Sequence, residues 1–322
     1  MNILIAGAGQ LGSRYLQGLA KLQLPAPANI FVYDPSPQSL LKAKERYEEI
    51  NSKELPHNVT YLSFLQKIPR CIDLAILSMS SLDRAQFMSE LSIRSDVNFW
   101  LLEKVLAPSL IDLQLIADIA QKSKGAWVNH WMRLHSGYVK IKQHIERLNL
   151  KIESIDICGG GWGLACNATH FIDFASWLSS SSITNIDIRD LDDLWIPSKR
   201  PGYFEINGTL RVNYKSGMTL AMTCDTSCMP LSISINSQSQ AFKVSYVDQK
   251  ILIELNSNIF DISSLPLQSE MTAPLVDRII HNSSCDLPGC IESVELHKFF
   301  CTSLLGHWNK VNHLKDEYLC IT

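Results

Sequence analysis

Three glycines near the amino terminus have the spacing that binds the phosphates of a dinucleotide. An apolar strand predicted at 2–6 leads directly into Gly7-Ala8-Gly9-Gln10-Leu11-Gly12, and a helical pattern follows. In this context the first glycine makes a tight turn, the second lets the backbone approach a pyrophosphate, and the third lets the helix pack on the strand. The start of the helix offers unpaired N–H groups to the phosphates. We therefore expect the whole segment, Gln10 and Leu11 included, to contact a dinucleotide.

Asp34 indicates which dinucleotide the chain prefers. It ends the second predicted strand, about 20 residues after the glycines, where a carboxylate accepts the ribose hydroxyls of an adenosine. The same negative charge repels a 2′-phosphate, so NAD(H) is favoured over NADP(H). Ser78 follows the fourth predicted strand and is expected to line the same site.

Three further residues could carry acid–base chemistry. Glu103-Lys104 ends the fifth predicted strand, and ligands of parallel sheets bind at this end of the strands. A cationic nicotinamide next to Lys104 would shift the lysine toward its neutral form. Alternatively, Lys104 as a cation could stabilise the alkoxide that develops on the substrate. His170 has an ordinary pKa of about 6.5, which suits proton exchange at neutral pH.

Together these motifs resemble the Gfo/Idh/MocA oxidoreductases. The resemblance rests on the glycine turn, on Glu103-Lys104, and on the segment from Gly163 to Asp173 that contains His170. It implies that Lys104 and His170 are catalytic and that Glu103 and Lys104 contact the cofactor. Asp173, one turn after His170, would orient that histidine. The resemblance also implies substrate contacts from Arg133, Trp162, Asn167 and Asp173, with His130 as a further candidate.

Two positions depart from the motifs of that family. Val105 stands where the family has Pro, and a cis peptide before a non-proline residue costs about 3 kcal/mol, so we expect a trans bond after Lys104. Cys166, four residues before His170, stands where the family has Asp. Because a thiol cannot supply a carboxylate, the proton relay should differ from that of the family. A nucleophilic Cys166 is kept as an alternative.

Composition limits the classes of protein that this chain can represent. Its 322 residues suit two domains, and 46% hydrophobic with 19% charged residues is typical of a globular protein. The net charge of −3 gives no basic excess for nucleic acid or anionic membrane. We expect neither a membrane-spanning segment nor a secretion signal. Nine irregularly spaced cysteines indicate no disulfide framework and no metal site. We expect a cytoplasmic protein with reduced, mostly buried thiols.

The first predicted domain, residues 1–125, alternates strands with amphipathic helices. The strands are predicted at 2–6, 30–33, 59–62, 73–77 and 98–102, and the helices at 11–22, 38–50, 82–93 and 110–122. Fully apolar strands that alternate with helices predict a Rossmann-type, doubly wound parallel sheet. A sixth strand at 126–130 and a helix at 138–148 follow.

The second predicted domain, residues 126–322, shows the period of two that is typical of antiparallel strands. Apolar and polar residues alternate over 204–214, 218–224, 231–235, 242–246 and 251–255. This predicts an α+β domain with a mainly antiparallel, open-faced meander, covered on one face by helices at 166–178, 270–281 and 291–308. The other face carries short polar side chains, which suit a two-fold contact in a homodimer or homotetramer. They are Asn207, Thr209, Thr219, Thr223, Ser232 and Ser234.

The expected function is NAD-dependent hydride transfer to or from a hydroxyl or keto group of a sugar or sugar nucleotide. Two alternatives stay open. The chain could bind a dinucleotide as a regulatory protein without turnover, which the missing carboxylate at Cys166 would favour. It could also retain NAD and oxidise its substrate only transiently, during an elimination, an epimerisation or a glycoside cleavage.

Overall fold

The first part of the chain alternates strands and helices, as predicted. The computed structural model describes residues 1–50 and 56–321. Six of the described strands form one sheet in the order β3-β2-β1-β4-β5-β6, and every neighbouring pair is parallel. The predicted doubly wound parallel sheet is confirmed. Its elements are β1 (Asn2–Ala6), α1 (Gln10–Leu19), β2 (Asn29–Tyr33), α2 (Pro37–Glu48), β3 (Asn58–Leu62), β4 (Cys71–Leu77), α3 (Ser81–Arg94), β5 (Asp96–Leu102), α4 (Leu110–Ala120) and β6 (Gly125–Val128).

The central strands of this sheet are buried completely. Ile3, Leu4 and Ile5 of β1 are 0% exposed, and so are residues 74–77 of β4. Such uninterrupted apolar runs are typical of parallel strands that helices cover on both faces. The chain order reverses between β1 and β4, and in doubly wound sheets ligands bind at this reversal, beyond the carboxyl ends of the strands. The glycine turn follows β1 and Ser78 follows β4, so the fold brings both to this point.

A helix from late in the sequence packs on α1. The chain divides into two compact units, of which the first comprises Met1–Ala107, Ile111–Asn129 and Pro266–Val294. It therefore contains α7 (Gln268–Asn282). A Cβ on Gly18 of α1 would lie 2.5 Å from the Cβ of Thr272 in α7, so the two helices are in close contact. The expectation that helix 270–281 covers the antiparallel sheet is wrong, because an apolar stripe shows that a helix is buried but not against which partner.

The second unit contains an eight-stranded sheet. It comprises Pro108–Leu110, His130–Leu265 and the residues from Glu295 onward. The strand order is β14-β13-β12-β11-β7-β10-β9-β8. After the 3-10 turn Trp131–Leu134, the elements are α5 (Ser136–Arg147), β7 (Ile152–Gly160), α6 (Leu164–Ser179), β8 (Ile183–Pro197), β9 (Phe204–Tyr214), β10 (Thr219–Asp225), β11 (Ser232–Ser237), β12 (Ala241–Val247), β13 (Lys250–Leu255), β14 (Asn258–Ser264) and α8 (Cys290–Asn312), which begins in the first unit.

The sheet is mainly antiparallel, as predicted, but it is not a simple meander. β7 lies between β10 and β11, parallel to β10 and antiparallel to β11. The predicted strands did not include β7, β8 or β14. β7 does carry a period of two, since Ile155, Ile157 and Gly159 are buried and the residues between them are not. The alternation was therefore available, but the position of β7 in the middle of the sheet depends on pairing with distant strands.

The two faces of the sheet differ as the alternation predicts. Ile206, Leu210 and Val212 of β9 are 0% exposed, and α6 packs against β9 and β10. On the other face Thr209 and Thr223 are half-buried, and their hydroxyl oxygens lie 2.8 Å apart. The use of this face as a subunit interface stays a prediction.

Two expectations concern the whole chain. Among the described residues, no helix is both long enough and apolar enough to cross a bilayer. All nine cysteines lie within the described part of the chain, and none of them forms a disulfide there. The expectation that most thiols are buried is wrong, since only Cys224, Cys290 and Cys301 are buried.

Candidate functional site

The glycine turn between β1 and α1 is shaped by two of its three glycines. Gly7 has a φ of +94°, and a Cβ there would lie 2.6 Å from the backbone nitrogen of Met79. A Cβ on Gly12 would lie 1.8 Å from the carbonyl oxygen of Gly7. A Cβ on Gly9 would meet no atom within 4 Å. Gly7 and Gly12 are therefore required by the fold, whereas Gly9 leaves open space at the start of α1.

The start of α1 and the end of β2 meet at this turn. Gly9 is the N-cap residue, and no side chain caps the helix. Asp34 is half-buried, and its carboxylate accepts hydrogen bonds from Ala8 N (2.7 Å) and Ser36 N (2.8 Å). An uncapped helix start attracts phosphate, and a carboxylate at the end of the second strand accepts ribose hydroxyls. These residues fit a dinucleotide.

Two side chains support the turn from outside the glycine motif. Ser78 donates a hydrogen bond to Gly7 O (2.8 Å), so its hydroxyl packs against the turn. Arg46 of α2 donates to Ser13 Oγ (2.7 Å) and to Gln10 Oε1 (2.6 Å), and it thereby brings a cation to the first turn of α1. Arg46 is not among the predicted site residues, because nothing in the spacing of α2 shows which of its cations faces α1.

Glu103 is part of a buried polar cluster at the end of β5. Its side chain is 5% exposed, and Oε1 accepts hydrogen bonds from the Tyr15 hydroxyl and from Asn129 Nδ2. Asn129 also donates to Gln268 Oε1 of α7 (3.0 Å). Burial raises the pKa of the Glu103 carboxyl above its usual range. The cluster ties β5, α1 and α7 together immediately before Lys104, which is half-buried.

The segment after Lys104 departs from the expected backbone. The Lys104–Val105 peptide is cis, so the predicted trans bond is wrong. Arg84 of α3 is buried and donates hydrogen bonds to the carbonyl oxygens of Val105 and Leu106. It also donates to Met79 O (2.7 Å). These contacts hold the chain after β5 in place, and the sequence of that segment does not reveal them.

The start of α6 brings together several of the predicted substrate residues. Gly163, with a φ of +77°, is the N-cap. Asn167 Nδ2 donates to Trp162 O (2.7 Å) and to Gly163 O (3.2 Å). Glu205 of β9, which is not among the predicted site residues, accepts hydrogen bonds from Ala165 N (2.8 Å) and from Cys166 N (3.2 Å). A carboxylate thus lies beside Cys166, although position 166 carries none. Glu205 occupies an ordinary polar position in the alternation of β9, so its own segment does not indicate a role for it.

His170 lies further along α6 in a group of buried polar side chains. His170 is 9% exposed, and its ring lies perpendicular to that of His130 with the centroids 5.3 Å apart. His297 of α8 lies on another side of His130, at 6.0 Å. Both His130 and His297 are 0% exposed. Within residues 1–50 and 56–321, no three His, Cys, Asp or Glu side chains are placed to hold a metal ion.

Arg133 and Asp173, two of the predicted substrate residues, form an ion pair. Arg133 Nε and Nη2 donate to the two carboxylate oxygens of Asp173, at 2.9 and 2.7 Å. Asp173 is 1% exposed and Arg133 is 8% exposed. Burial raises the pKa of Asp173 to about 6, against the opposing effect of Arg133. The pair fixes the middle of α6 to the 3-10 turn Trp131–Leu134.

Comparisons with known proteins identify the fold. No model of a protein family matches the sequence, and no curated protein matches it. Solved structures do match. They include UDP-N-acetylglucosamine 3-dehydrogenase from Acidithiobacillus ferrooxidans, with 12% identity over 94% of this chain and 96% of that chain and a TM-score of 0.68. Another is myo-inositol dehydrogenase from Lactobacillus casei in complex with NAD(H) and myo-inositol, with 12% identity over 96% and 94% and a TM-score of 0.69.

A third match is not described as an enzyme. It is the transcriptional regulator Gal80p from Kluyveromyces lactis, with 14% identity over 96% of this chain and 92% of that chain and a TM-score of 0.70. These solved structures share the fold of this chain over nearly its whole length. The fold class predicted from the sequence is therefore confirmed.

Proposed function

We propose that this chain is a nicotinamide-dinucleotide-dependent oxidoreductase acting on a hydroxyl or keto group of a carbohydrate or sugar nucleotide. The observation that carries the proposal is the start of α1. There a side chain at Gly9 would meet no atom within 4 Å, and no side chain caps the helix. Dinucleotide-binding sheets leave this place open for the pyrophosphate. The matching dehydrogenases support the proposal, since they share the fold.

Each part of the turn has a role toward the cofactor. The backbone N–H groups from Gly9 to Gly12, Gln10 and Leu11 included, would bind the pyrophosphate, and Asp34 would accept the ribose hydroxyls. The negative charge of Asp34 favours NAD(H) over NADP(H). Ser78 keeps the turn in shape, and Glu103 holds the end of β5 from which Lys104 extends. When bound, the nicotinamide accepts or gives the hydride.

Lys104 and His170 are the proposed acid–base residues. During oxidation, His170 would accept the proton of the substrate hydroxyl, and in reduction it would return that proton. Lys104 as an ammonium would stabilise negative charge that develops on a substrate oxygen. The buried pair of Arg133 and Asp173 would keep α6 in position, and Trp162 and Asn167 would contact the sugar.

Substitution of Lys104 tests the proposal. Lys104→Met keeps the stem of the side chain but removes its charge and proton. It should lower kcat by about a hundredfold or more, while the affinity for NADH changes only several-fold. Turnover is measured as NADH absorbance over a panel of sugars, polyols and sugar nucleotides. Lys122→Met, at an exposed lysine just after α4, is the matched control and should leave kcat unchanged. An unaltered kcat in Lys104→Met would refute the catalytic assignment.

A regulatory role without turnover is the second candidate. The likeness to Gal80p and the thiol at Cys166 favour it. On this alternative, the wild-type chain would bind NADH with ordinary affinity but produce no NADH from any member of the panel. Measurable turnover with one sugar would exclude it.

A further inference from the structure

A cavity of about 350 Å³ lies beside the first turn of α6, and all of its lining residues belong to the second unit. The lining includes Trp162, Cys166, Asn167, Lys199, Arg200 and Glu205. Its volume is near the lower end of the range for ligand pockets, about 300–1,000 Å³. The cavity therefore suits a ligand about as large as one sugar ring. One indole, one carboxylate and two cations make its lining chemically specific.

Trp162 provides a fixed aromatic surface in this cavity. Its Nε1 donates a hydrogen bond to Thr223 O (2.9 Å) of β10. Its ring and that of Phe171 of α6 form a T-shaped pair, with the centroids 5.3 Å apart and the planes at 88°. Contacts on two sides hold the indole, although it is only half-buried. A rigid aromatic side chain loses little entropy on binding and offers an apolar face to the C–H groups of a sugar ring.

Glu205 provides an acceptor for hydroxyl groups. Its two carboxylate oxygens already accept from Ala165 N and Cys166 N, which fixes the direction of the side chain. A carboxylate has about four acceptor positions, so it can accept from sugar hydroxyls as well. Hydrogen bonds to an ionised acceptor are stronger than neutral ones. Because the amides of α6 share its charge, Glu205 repels an anion elsewhere in the cavity less than an isolated carboxylate would.

Lys199 and Arg200 place two positive charges in the lining of the same cavity. They are consecutive and exposed in the loop between β8 and β9. Arg200 makes two contacts within this loop: its backbone N–H donates to Ser198 Oγ (3.1 Å), and its guanidinium lies 5.5 Å from the ring centre of Tyr203. Guanidinium and ammonium groups are the usual partners of carboxylates and phosphates.

We infer that this cavity is the subsite for a sugar ring that carries an anionic group, either a carboxylate or a phosphate. Trp162 packs on the ring, Glu205 binds its hydroxyls, and Lys199 with Arg200 binds the anionic group. The inference rests on the proposed function and specifies its substrate class.

Calorimetric titration of the full chain tests this inference without any need for turnover. The probes are glucose, galactose and mannose, each as the neutral sugar, the uronate and the 1-phosphate. The anionic forms should bind about tenfold more tightly than the neutral ones, and the preferred anion identifies a sugar acid or a sugar phosphate as the source. The double variant Lys199→Ala/Arg200→Ala should abolish this tenfold difference, because the two exposed charges together account for it. Lys151→Ala, an exposed lysine just before β7, is the control and should preserve the difference.

Two further measurements locate the bound sugar. Glu205→Gln should weaken binding of neutral and anionic sugars alike, by about tenfold, while the melting temperature reports any loss at the start of α6. A bound sugar should also slow alkylation of Cys166 by iodoacetamide, measured by mass spectrometry, but not that of the exposed Cys71 in the first unit.

Three results would overturn the inference: equal affinity for neutral and anionic sugars, a preference that survives Lys199→Ala/Arg200→Ala, or no binding of any probe at millimolar concentration. These outcomes are distinct from failure of the proposed function. Selective binding without NADH formation would support the subsite and refute the oxidoreductase. NADH formation from neutral sugars alone would support the oxidoreductase and refute the subsite.

Discussion

Alanine at Gly9 and alanine at Gly12 should have different consequences, although the two glycines are three positions apart in one turn. The backbone of Gly9, with φ −65° and ψ −159°, is open to alanine, and the new Cβ would meet no protein atom within 4 Å. At Gly12 the Cβ would lie 1.8 Å from Gly7 O, whereas ordinary contacts begin near 3.4 Å. Gly12→Ala must therefore displace the turn or α1, and Gly9→Ala need displace only a ligand.

The magnitudes follow from these contacts. Overpacking of this kind costs about 3 kcal/mol, which lowers the melting temperature of a domain of this size by roughly 6–12 °C. Gly9→Ala should change the melting temperature by less than about 2 °C. Its methyl group would keep a pyrophosphate from one backbone N–H group. Hydrogen bonds to charged groups contribute about 1.5–3 kcal/mol each, so the affinity for NADH should fall by about ten- to a hundredfold.

The assay pairs a thermal melt with a titration of NADH, followed by quenching of tryptophan fluorescence. The expected pattern is a stable Gly9→Ala that binds NADH poorly and a Gly12→Ala that is destabilised before any ligand is added. Full NADH affinity in Gly9→Ala would refute the argument that the open space at the start of α1 holds the cofactor. An unchanged melting temperature in Gly12→Ala would show that the turn relaxes at little cost.

Three further predictions concern other parts of the molecule. Asp34→Asn keeps an acceptor for Ala8 N but removes the charge, so the ratio of NADPH to NADH affinity should rise by about tenfold; a ratio that stays constant in fluorescence titrations would contradict the charge argument. Thr209→Arg should convert an oligomer into monomers by placing like charges across a two-fold contact, whereas light scattering that gives wild type the mass of one chain would end the interface prediction. His57 Nδ1 accepts from Ala28 N (3.2 Å), which only the neutral ring can do, and burial lowers its pKa. Its folded-state pKa is thus below its unfolded-state pKa, so wild type should lose stability relative to His57→Gln as the pH falls below about 6.5. Urea unfolding at pH 7.5 and pH 5 measures this difference, and a difference independent of pH would contradict it.

Features that depend on residues close together in the chain were predictable. The fully apolar strands predicted the parallel sheet. The period of two over β9 predicted the buried face of that strand, which includes Ile206, Leu210 and Val212. The glycine spacing predicted both the turn and the start of α1 within one or two residues. These predictions hold because hydrophobic period, turn residues and helix starts are set by local backbone geometry.

Contacts between distant parts of the chain were not predictable from those patterns. Arg46 and Gln10 are 36 residues apart, and Glu205 reaches Cys166 over 39. Tyr15 and Glu103, which are 88 residues apart, share one buried hydrogen bond. Neither segment of such a pair indicates which distant side chain it meets, because the partner is fixed only by the path of the whole chain.

The sequence by itself therefore determined the two kinds of sheet and the glycine turn between β1 and α1. The tertiary structure decided that α7 packs on α1, that β7 lies in the middle of the second sheet, and that a carboxylate from β9 lies beside Cys166. The physical reason is the same in each case. A periodic pattern reports which side of a helix or strand is buried, because burial is set by hydrophobicity, but it carries no information on the partner. The partner is selected by shape and hydrogen bonding among elements that are far apart in the sequence.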